Sequence, residues 1–161
     1  MSQPEIHNVE SIIAVLKGLK GSTIDTVFDL FFTEKRMIAA IVLHPGDLAK
    51  EYSKPDITTL LVGGYFKQRE IKVRSLQLIE ERRATFDGKN PDEILSSHRA
   101  NLQVEYENIL FVKIKKGFLG TTLEFETQPP GRKIAFSIDA TQLNETEQLM
   151  KKIFPEKTRQ N

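Results

Sequence analysis

The chain has 161 residues, which is enough for a single domain whose hydrophobic core needs no disulfide or metal to be stable. It contains no cysteine, and this excludes a disulfide framework, a thiolate zinc site and a cysteine nucleophile. Its 23 lysines and arginines almost balance its 22 acidic residues, so no overall charge directs it to nucleic acid, and we expect no nucleic-acid partner.

The sequence also lacks the signals of export and membrane insertion. Its N-terminus has no basic segment followed by the apolar run of a secretory signal. The longest apolar runs, residues 12–16 and 37–43, are far shorter than the roughly 20 residues that span a bilayer. We therefore expect a cytoplasmic protein without a transmembrane segment, which would meet a membrane only at its surface.

Three β-strands are predicted in the first 43 residues. Residues 8–17 fit either a buried strand or a helix with one apolar face, and the glycines soon after them favour the strand. Residues 23–33 alternate polar with β-branched or aromatic side chains. A short polar turn then leads into residues 37–43, so these last two strands should form an antiparallel hairpin.

Residues 47–100 are predicted to be a helical insertion within a β-rich domain. Pro45 and Gly46 break the preceding strand, and Asp56 can cap a helix that starts near residue 57. Residues 65–83 follow a helical period with one apolar face. The residues expected to face inward are Phe66, Val73, Leu76 and Ile79. The basic residues expected to face outward are Lys67, Arg69, Lys72, Arg74, Arg82 and Arg83.

A second set of strands and a helix are predicted in the final third. The strands are residues 101–105, 109–116, 121–127 and 132–138, joined by short turns. An amphipathic helix follows over about residues 141–154, and Pro155 ends it. Residues 156–161 are expected to fray.

This order of elements predicts one α+β, mainly β, domain over residues 1–161. About seven mostly antiparallel strands should form a bent sheet or partly open barrel, because closure protects strand edges. The C-terminal helix would cap the open end, and the helical insertion would lie between the two groups of strands.

Two stretches resemble a known family. LFFTEKRMIAAIV (residues 30–42) is similar to the pattern L-x-x-T-x-x-R-L-I, and VEYENILFVKIKKGFLGTTLEFET (residues 104–127) is similar to I-x-Y-x-x-I-x-x-V-x-x-K. Both patterns recur in bacterial and archaeal pleckstrin-homology-like (GRAM-like) domains, and a terminal helix ending in FP also fits. The resemblance implies a pleckstrin-like sheet-and-helix fold that typically serves as an adaptor for lipids or proteins and frequently self-assembles. It implies no reaction.

The stretch KKGFLGTT (residues 115–122) is the first candidate binding element. If its tip is exposed, Phe118 and Leu119 would enter a membrane interface while nearby cations meet lipid phosphates. Such a pair supplies only a few kcal/mol, so stable binding would need charge or multivalency. The alternative is a tip packed against the inserted helices or a neighbouring subunit. The cations assigned to this candidate are Lys113, Lys115, Lys116, Arg132 and Lys133.

The basic helix is the second candidate. Clustered cations raise the local potential even in a nearly neutral protein, and would suit anionic headgroups or an acidic partner. The alternative is a solvated helix face balanced by nearby glutamates. The cations of this candidate are Lys67, Arg69, Lys72 and Arg74.

Metal and catalytic motifs have little support. His7, His44 and His98 have no close ligand spacing, so a zinc site would require the fold to gather them. Ser96 and Ser97 beside His98 offer a nucleophile and a base, but adjacent side chains point apart and no orienting acid is evident. We expect no cofactor and no bound metal.

The leading hypothesis is therefore a non-enzymatic adaptor module that contacts a protein partner or an anionic membrane surface, as a homo-oligomer. One alternative is a small hydrolase or transferase that uses residues of the insertion, in which a pocket would hold a base, an acid and an orienting group. Another is a structural self-assembly domain, whose exposed apolar residues form a subunit interface.

Overall fold

The structure, a computed structural model, describes residues 10–22, 26–52, 64–128 and 132–160. For residues 50–52, 64–67 and 160 it describes the backbone alone. Within these ranges the chain forms one open eight-stranded sheet and four α-helices, which confirms the predicted α+β, mainly β, class. The helices in this part of the chain include none that is long and apolar enough to cross a membrane.

Two antiparallel meanders make up the sheet. The strands are β1 (Ile12–Lys20), β2 (Val27–Thr33), β3 (Arg36–Leu43), β4 (Leu102–Glu105), β5 (Ile109–Gly117), β6 (Gly120–Thr127), β7 (Arg132–Ile138) and β8 (Thr158–Gln160). Their order across the sheet is β4-β3-β2-β1-β7-β6-β5-β8. Strands β1 to β4 form the first meander and β5 to β7 the second, and β8 lies parallel to β5 at the edge. Strands β1 and β7 pair at a single position, Lys20 with Ser137. Within the described ranges the strands of the two meanders are therefore joined only at this point, here called the corner of the sheet.

The helices are α1 (Pro45–Tyr52), α2 (Gly64–Ala84), α3 (Pro91–Ser96) and α4 (Leu143–Ile153). The first three lie between β3 and β4 in the chain, and α4 follows β7. Short 3-10 turns at Tyr106–Asn108 and Ala140–Gln142 precede β5 and α4.

The two middle strands of the first meander, β2 and β3, are buried on both faces. One face packs against the second meander and α4, where Phe32 lies edge-on to Phe154 with ring centroids 6.4 Å apart. The other packs against α2, α3 and the turn between them, where Phe31 meets Phe86 at 5.5 Å. Every residue of β3 is buried, which explains why its sequence is almost continuously apolar instead of alternating.

Strand β1 extends beyond its predicted end. The prediction stops it at residue 17, whereas the strand continues to Lys20. Its pairing with β2 shifts between Leu16 and Leu19, and Gly18 there has φ +75°, a conformation that favours glycine. The glycine therefore forms a bulge within the strand and does not end it. The predicted start of the second strand, residues 23–25, lies outside the described residues.

Helix α2 is rotated about its axis relative to the prediction. Val73 and Leu76, which the sequence pattern places inward, are 50% and 56% exposed. Ile79 does pack against the sheet, as predicted. The side chain of Phe66 and the predicted helix start at Asp56 lie outside the described residues.

A buried ion pair ties this helix to the sheet. Asp29 is 1% exposed on the face of β2 that α2 covers, and its carboxylate accepts hydrogen bonds from Arg83 Nε at 2.8 Å and Nη2 at 2.9 Å. The backbone N–H of Gly18 donates to the same carboxylate at 2.8 Å. Because a buried carboxylate requires such partners, Arg83 faces the sheet. The predicted outward position of Arg82 is also wrong, since it is half-buried and lies 3.7 Å from Asp47.

The T-x-x-R part of the family-like pattern holds the β2–β3 turn together. The Thr33 hydroxyl accepts a hydrogen bond from the Arg36 backbone N–H at 3.0 Å and donates to Glu10 at 2.5 Å. Arg36, itself buried, binds Glu10 at 2.7 Å and Asp92 at 2.5 Å. Burial raises the pKa of Glu10, but hydrogen bonds from Arg36 and Thr33 outweigh it and bring that pKa below its ordinary value. This pattern therefore joins the hairpin to α3 and to the start of β1.

The prediction that residues 156–161 fray is wrong for residues 158–160. Thr158–Gln160 form β8, which pairs in parallel with β5. The Thr158 hydroxyl donates to the Phe154 carbonyl at 2.8 Å, and the Arg159 guanidinium lies 3.8 Å from the centre of the Phe111 ring. Both contacts anchor the segment after Pro155, and β8 brings the strand count to eight.

Candidate functional site

The β5–β6 hairpin carries the most exposed apolar side chains in the described part of the chain. Gly117 pairs with Gly120, so Phe118 and Leu119 alone form the turn, here called the tip. Gly120 has φ +134°, which side-chain-bearing residues rarely adopt. Phe118 and Leu119 are 104% and 97% exposed, so the tip does not pack against the described inserted helices.

A groove of about 670 Å³ runs beside the tip. The hairpin forms one wall, and the corner where β1 meets β7 forms the other, with Lys20, Ser137 and Asp139 lining it. Asp139 accepts hydrogen bonds from the backbone N–H and hydroxyl of Thr141, which lower its pKa and keep it ionised. The tip is therefore bordered by one cation from β1 and one carboxylate that follows β7.

Three predicted lysines lie together on the outer face of β5–β7, here called the lysine face. Each is matched with a glutamate: Lys113 Nζ lies 3.2 Å from Glu126, and Lys115 and Lys133 lie 3.0 and 3.6 Å from Glu124. The hydrogen bond from Lys115 is the largest cause that lowers the pKa of Glu124 below its ordinary value. The predicted cations and the outward-facing glutamates thus form one mixed-charge surface with a small positive excess.

The structure separates the predicted cations by their distance from the tip. Arg132 begins β7 opposite Thr127, whereas Ile138, at the other end of β7, lies opposite Thr121 beside the tip. Six residues of strand put Arg132 about 20 Å from that end. Arg132 instead lines a groove of about 290 Å³ next to β4, away from the tip.

Lys116 and Lys20 are the cations best placed to accompany the tip. The Lys116 side chain is 60% exposed and lies 3.3 Å from Glu147 of α4. Lys20 lines the groove beside the tip and was not among the predicted residues. The prediction missed Lys20 because it ended the strand before Gly18. In the structure β1 continues past Gly18 and pairs with β7 at Lys20.

The cations predicted on α2 do not form one face. Arg69 and Lys72 are exposed, as predicted. Arg74 is half-buried and binds Glu81 at 3.1 Å. The side chain of Lys67 lies outside the described residues. Arg82 and Arg83, which the sequence pattern places on the same outward face, pair with Asp47 of α1 and Asp29 of β2. Among the described side chains of this candidate, Arg69 and Lys72 remain exposed.

The histidines and serines are arranged differently from a metal or hydrolase site. His44 and His98 come together, with ring centroids 5.9 Å apart, while His7 lies outside the described residues. No group of three potential ligands able to hold a metal occurs in the described ranges. The hydroxyls of Ser96 and Ser97 donate to carbonyls of their own helix, at 3.2 and 2.6 Å.

No protein-family model matches the chain, and no curated protein matches it. The geometry of the tip and of the charges around it therefore carries the functional proposal.

Proposed function

We propose that the chain is a non-enzymatic adaptor module of pleckstrin-like type, which contacts an anionic membrane surface through the tip. The observation that carries this proposal is the full exposure of Phe118 and Leu119 at the point of a hairpin. Two adjacent large apolar side chains held in water favour a site of contact with another apolar phase.

The arrangement of the sheet supports the pleckstrin-like part of the proposal. Two antiparallel meanders meet at one corner, and α4 packs its apolar side, including Met150, into the space between them. The residues that carry the sequence resemblance, Thr33 and Arg36, connect the first hairpin with the rest of the fold. These features belong to the fold and leave the tip free to bind.

The expected affinity is low and depends on charge. Moving about half of the apolar surface of Phe118 and Leu119 out of water contributes about 3 kcal/mol. A lysine close to an anionic surface adds about 1 kcal/mol. Lys116 and Lys20 are the lysines next to the tip. The Lys116 side chain is 60% exposed, whereas its partner Glu147 is 19% exposed, so Lys116 would meet a lipid phosphate while it stays close to Glu147, and its net contribution is small. Stable attachment would therefore require several copies.

A protein partner is the second candidate. The lysine face favours it, because Glu124 and Glu126 lie between Lys113, Lys115 and Lys133 and offset most of their charge. A mixed-charge sheet surface suits a partner with complementary charges better than a uniformly anionic membrane.

Sedimentation with liposomes tests the proposal. The wild type, Phe118→Ser/Leu119→Ser and the control Val73→Ser would be mixed with anionic and with neutral vesicles at low and moderate salt. Val73 is a half-exposed apolar residue on α2, so its replacement changes surface apolarity away from the tip. We expect the double variant to lose more than tenfold in partitioning to anionic vesicles, while the control retains it.

A matched pair of charge variants refines this test. Lys116→Gln and Lys133→Gln remove one charge each from side chains of similar exposure, 60% and 52%. We expect about a fivefold loss for Lys116→Gln alone, because only Lys116 lies next to the tip. If no variant changes binding, or if the wild type ignores anionic vesicles at low salt, the membrane proposal is wrong and a protein partner becomes the leading candidate.

A further inference from the structure

A second groove, of about 340 Å³, lies where α1 and α2 meet the edge of the first meander, and we call it the helix groove. Its walls are apolar and come from five elements of the fold. The apolar residues that line it are Val27, Leu43, Leu48, Ile71, Leu76 and Ile79. Its volume lies near the lower end of the range of small-molecule sites, about 300–1,000 Å³.

Two lysines complete the lining of the helix groove. Lys20 comes from the end of β1 and Lys72 from α2, and both side chains are exposed. Among the described residues, no carboxylate lines the groove together with them. The single hydroxyl in the described lining, on Ser75, already donates its proton to the Ile71 carbonyl at 2.7 Å. The described lining of the groove therefore offers an apolar trough with two positive charges and no competing anion.

This chemistry selects a particular ligand. An apolar trough stabilises a hydrocarbon chain by removing it from water, and two ammonium groups stabilise one anionic head. The volume suits one chain of medium length and is too small for the two chains of a membrane phospholipid. We infer that the helix groove binds a free fatty acid, with its chain along Ile71 and Leu76 and its carboxylate at Lys20 and Lys72.

The inferred site explains why Leu76, an apolar residue, is exposed. Leu76 lines the groove, whereas Val73, exposed to a similar degree on the same helix, does not. Leu76 lies two helical turns before Arg83 on nearly the same side of α2, and there it lines the groove. A bound acyl chain would cover it. The site is separate from the tip, although Lys20 lines the grooves beside both.

Isothermal titration calorimetry of the full chain with sodium decanoate tests this inference. The wild type is expected to bind decanoate, and methyl decanoate, which has the same chain without the charge, should bind at least fivefold more weakly. Leu76→Ser should weaken decanoate binding by about tenfold, while Val73→Ser should leave it unchanged. Lys72→Gln should weaken it about fivefold, and Arg69→Gln, an exposed cation outside the groove, should not.

Several results would overturn the inference. They are the absence of binding by the folded wild type below the micelle concentration, equal losses in Leu76→Ser and Val73→Ser, and equal affinities for the acid and its ester. Urea unfolding of each variant separates lost binding from lost folding. The Phe118→Ser/Leu119→Ser variant should bind decanoate like the wild type, so this site and the proposed membrane contact can fail independently.

Discussion

The buried ion pair between α2 and β2 offers a direct test of how the helix insertion is held on the sheet. Replacing Arg83 with methionine keeps much of the side-chain length but removes the guanidinium. Asp29, 1% exposed, would retain the hydrogen bond from Gly18 and lose the two from Arg83. Removing one partner of a buried pair typically costs about 3–5 kcal/mol. Since the Arg83 side chain is 21% exposed and water partly screens the pair, we expect the free energy of unfolding to fall by about 3 kcal/mol.

Urea unfolding followed by circular dichroism would measure this change through the midpoint and slope of the transition. A double-mutant cycle with Asp29→Asn isolates the interaction, and we expect the two losses to be less than additive by about 2 kcal/mol. Arg69→Met, an exposed position on the same helix, serves as the control and should change stability by less than about 0.5 kcal/mol. A loss in Arg83→Met as small as that of the control would refute the role of this pair in fixing the helix.

Two further predictions concern single buried or partly buried groups. The Thr146 side chain is fully buried on the inner side of α4, and its hydroxyl has no hydrogen-bond partner among the described residues, so Thr146→Val should raise the free energy of unfolding by about 1 kcal/mol. Thermal denaturation would detect this, and a lowered melting temperature would show that the hydroxyl is satisfied. Burial, and then the charge of Arg82, lowers the pKa of His98, whose Nδ1 accepts a hydrogen bond from the Ala100 N–H. Because the unfolded chain binds this proton more readily, stability should be complete above about pH 6.5 and fall as the pH drops from there toward the folded-state pKa. Urea titrations across this range should show a smaller fall in His98→Asn, and an identical fall would exclude His98 as its source.

The sequence predicts most of the strands because their local patterns and their environment agree. Residues 109–116 and 121–127 alternate, and they form a hairpin whose one face is in the core and whose other face is polar. The strand at residues 37–43 is apolar throughout, and it is the one with both faces covered. In each case the side-chain pattern reports how many faces of the strand are buried.

The errors arise where a contact distant in sequence decides the outcome. The apolar pattern of α2 favours placing Val73 inward and the arginines outward, but Val73 is half exposed and Arg83 is paired with the buried Asp29, which lies 54 residues away. The tail forms β8 because β5 has a free edge beside it, which composition alone does not reveal.

The same holds for the candidate site. The local sequence predicts a turn with Phe118 and Leu119 at its point, since glycines enclose these two residues. The pairing of the lysines with Glu124 and Glu126 depends on strand register, and the position of Lys20 depends on the one bridge between β1 and β7. Local sequence patterns reveal neither the strand register nor the bridge between β1 and β7.

The double burial of β3 has a consequence for how the chain can change over evolution. Its outer side chains, Ile38, Ala40 and Val42, are covered only because the chain between β3 and β4 returns as helices across that face. Removing residues 47–100 would leave a bare apolar sheet surface that attracts other copies of the chain. The helices between β3 and β4 therefore form a required layer of the domain, and a chain that lacked them would need polar residues along the outer face of β3.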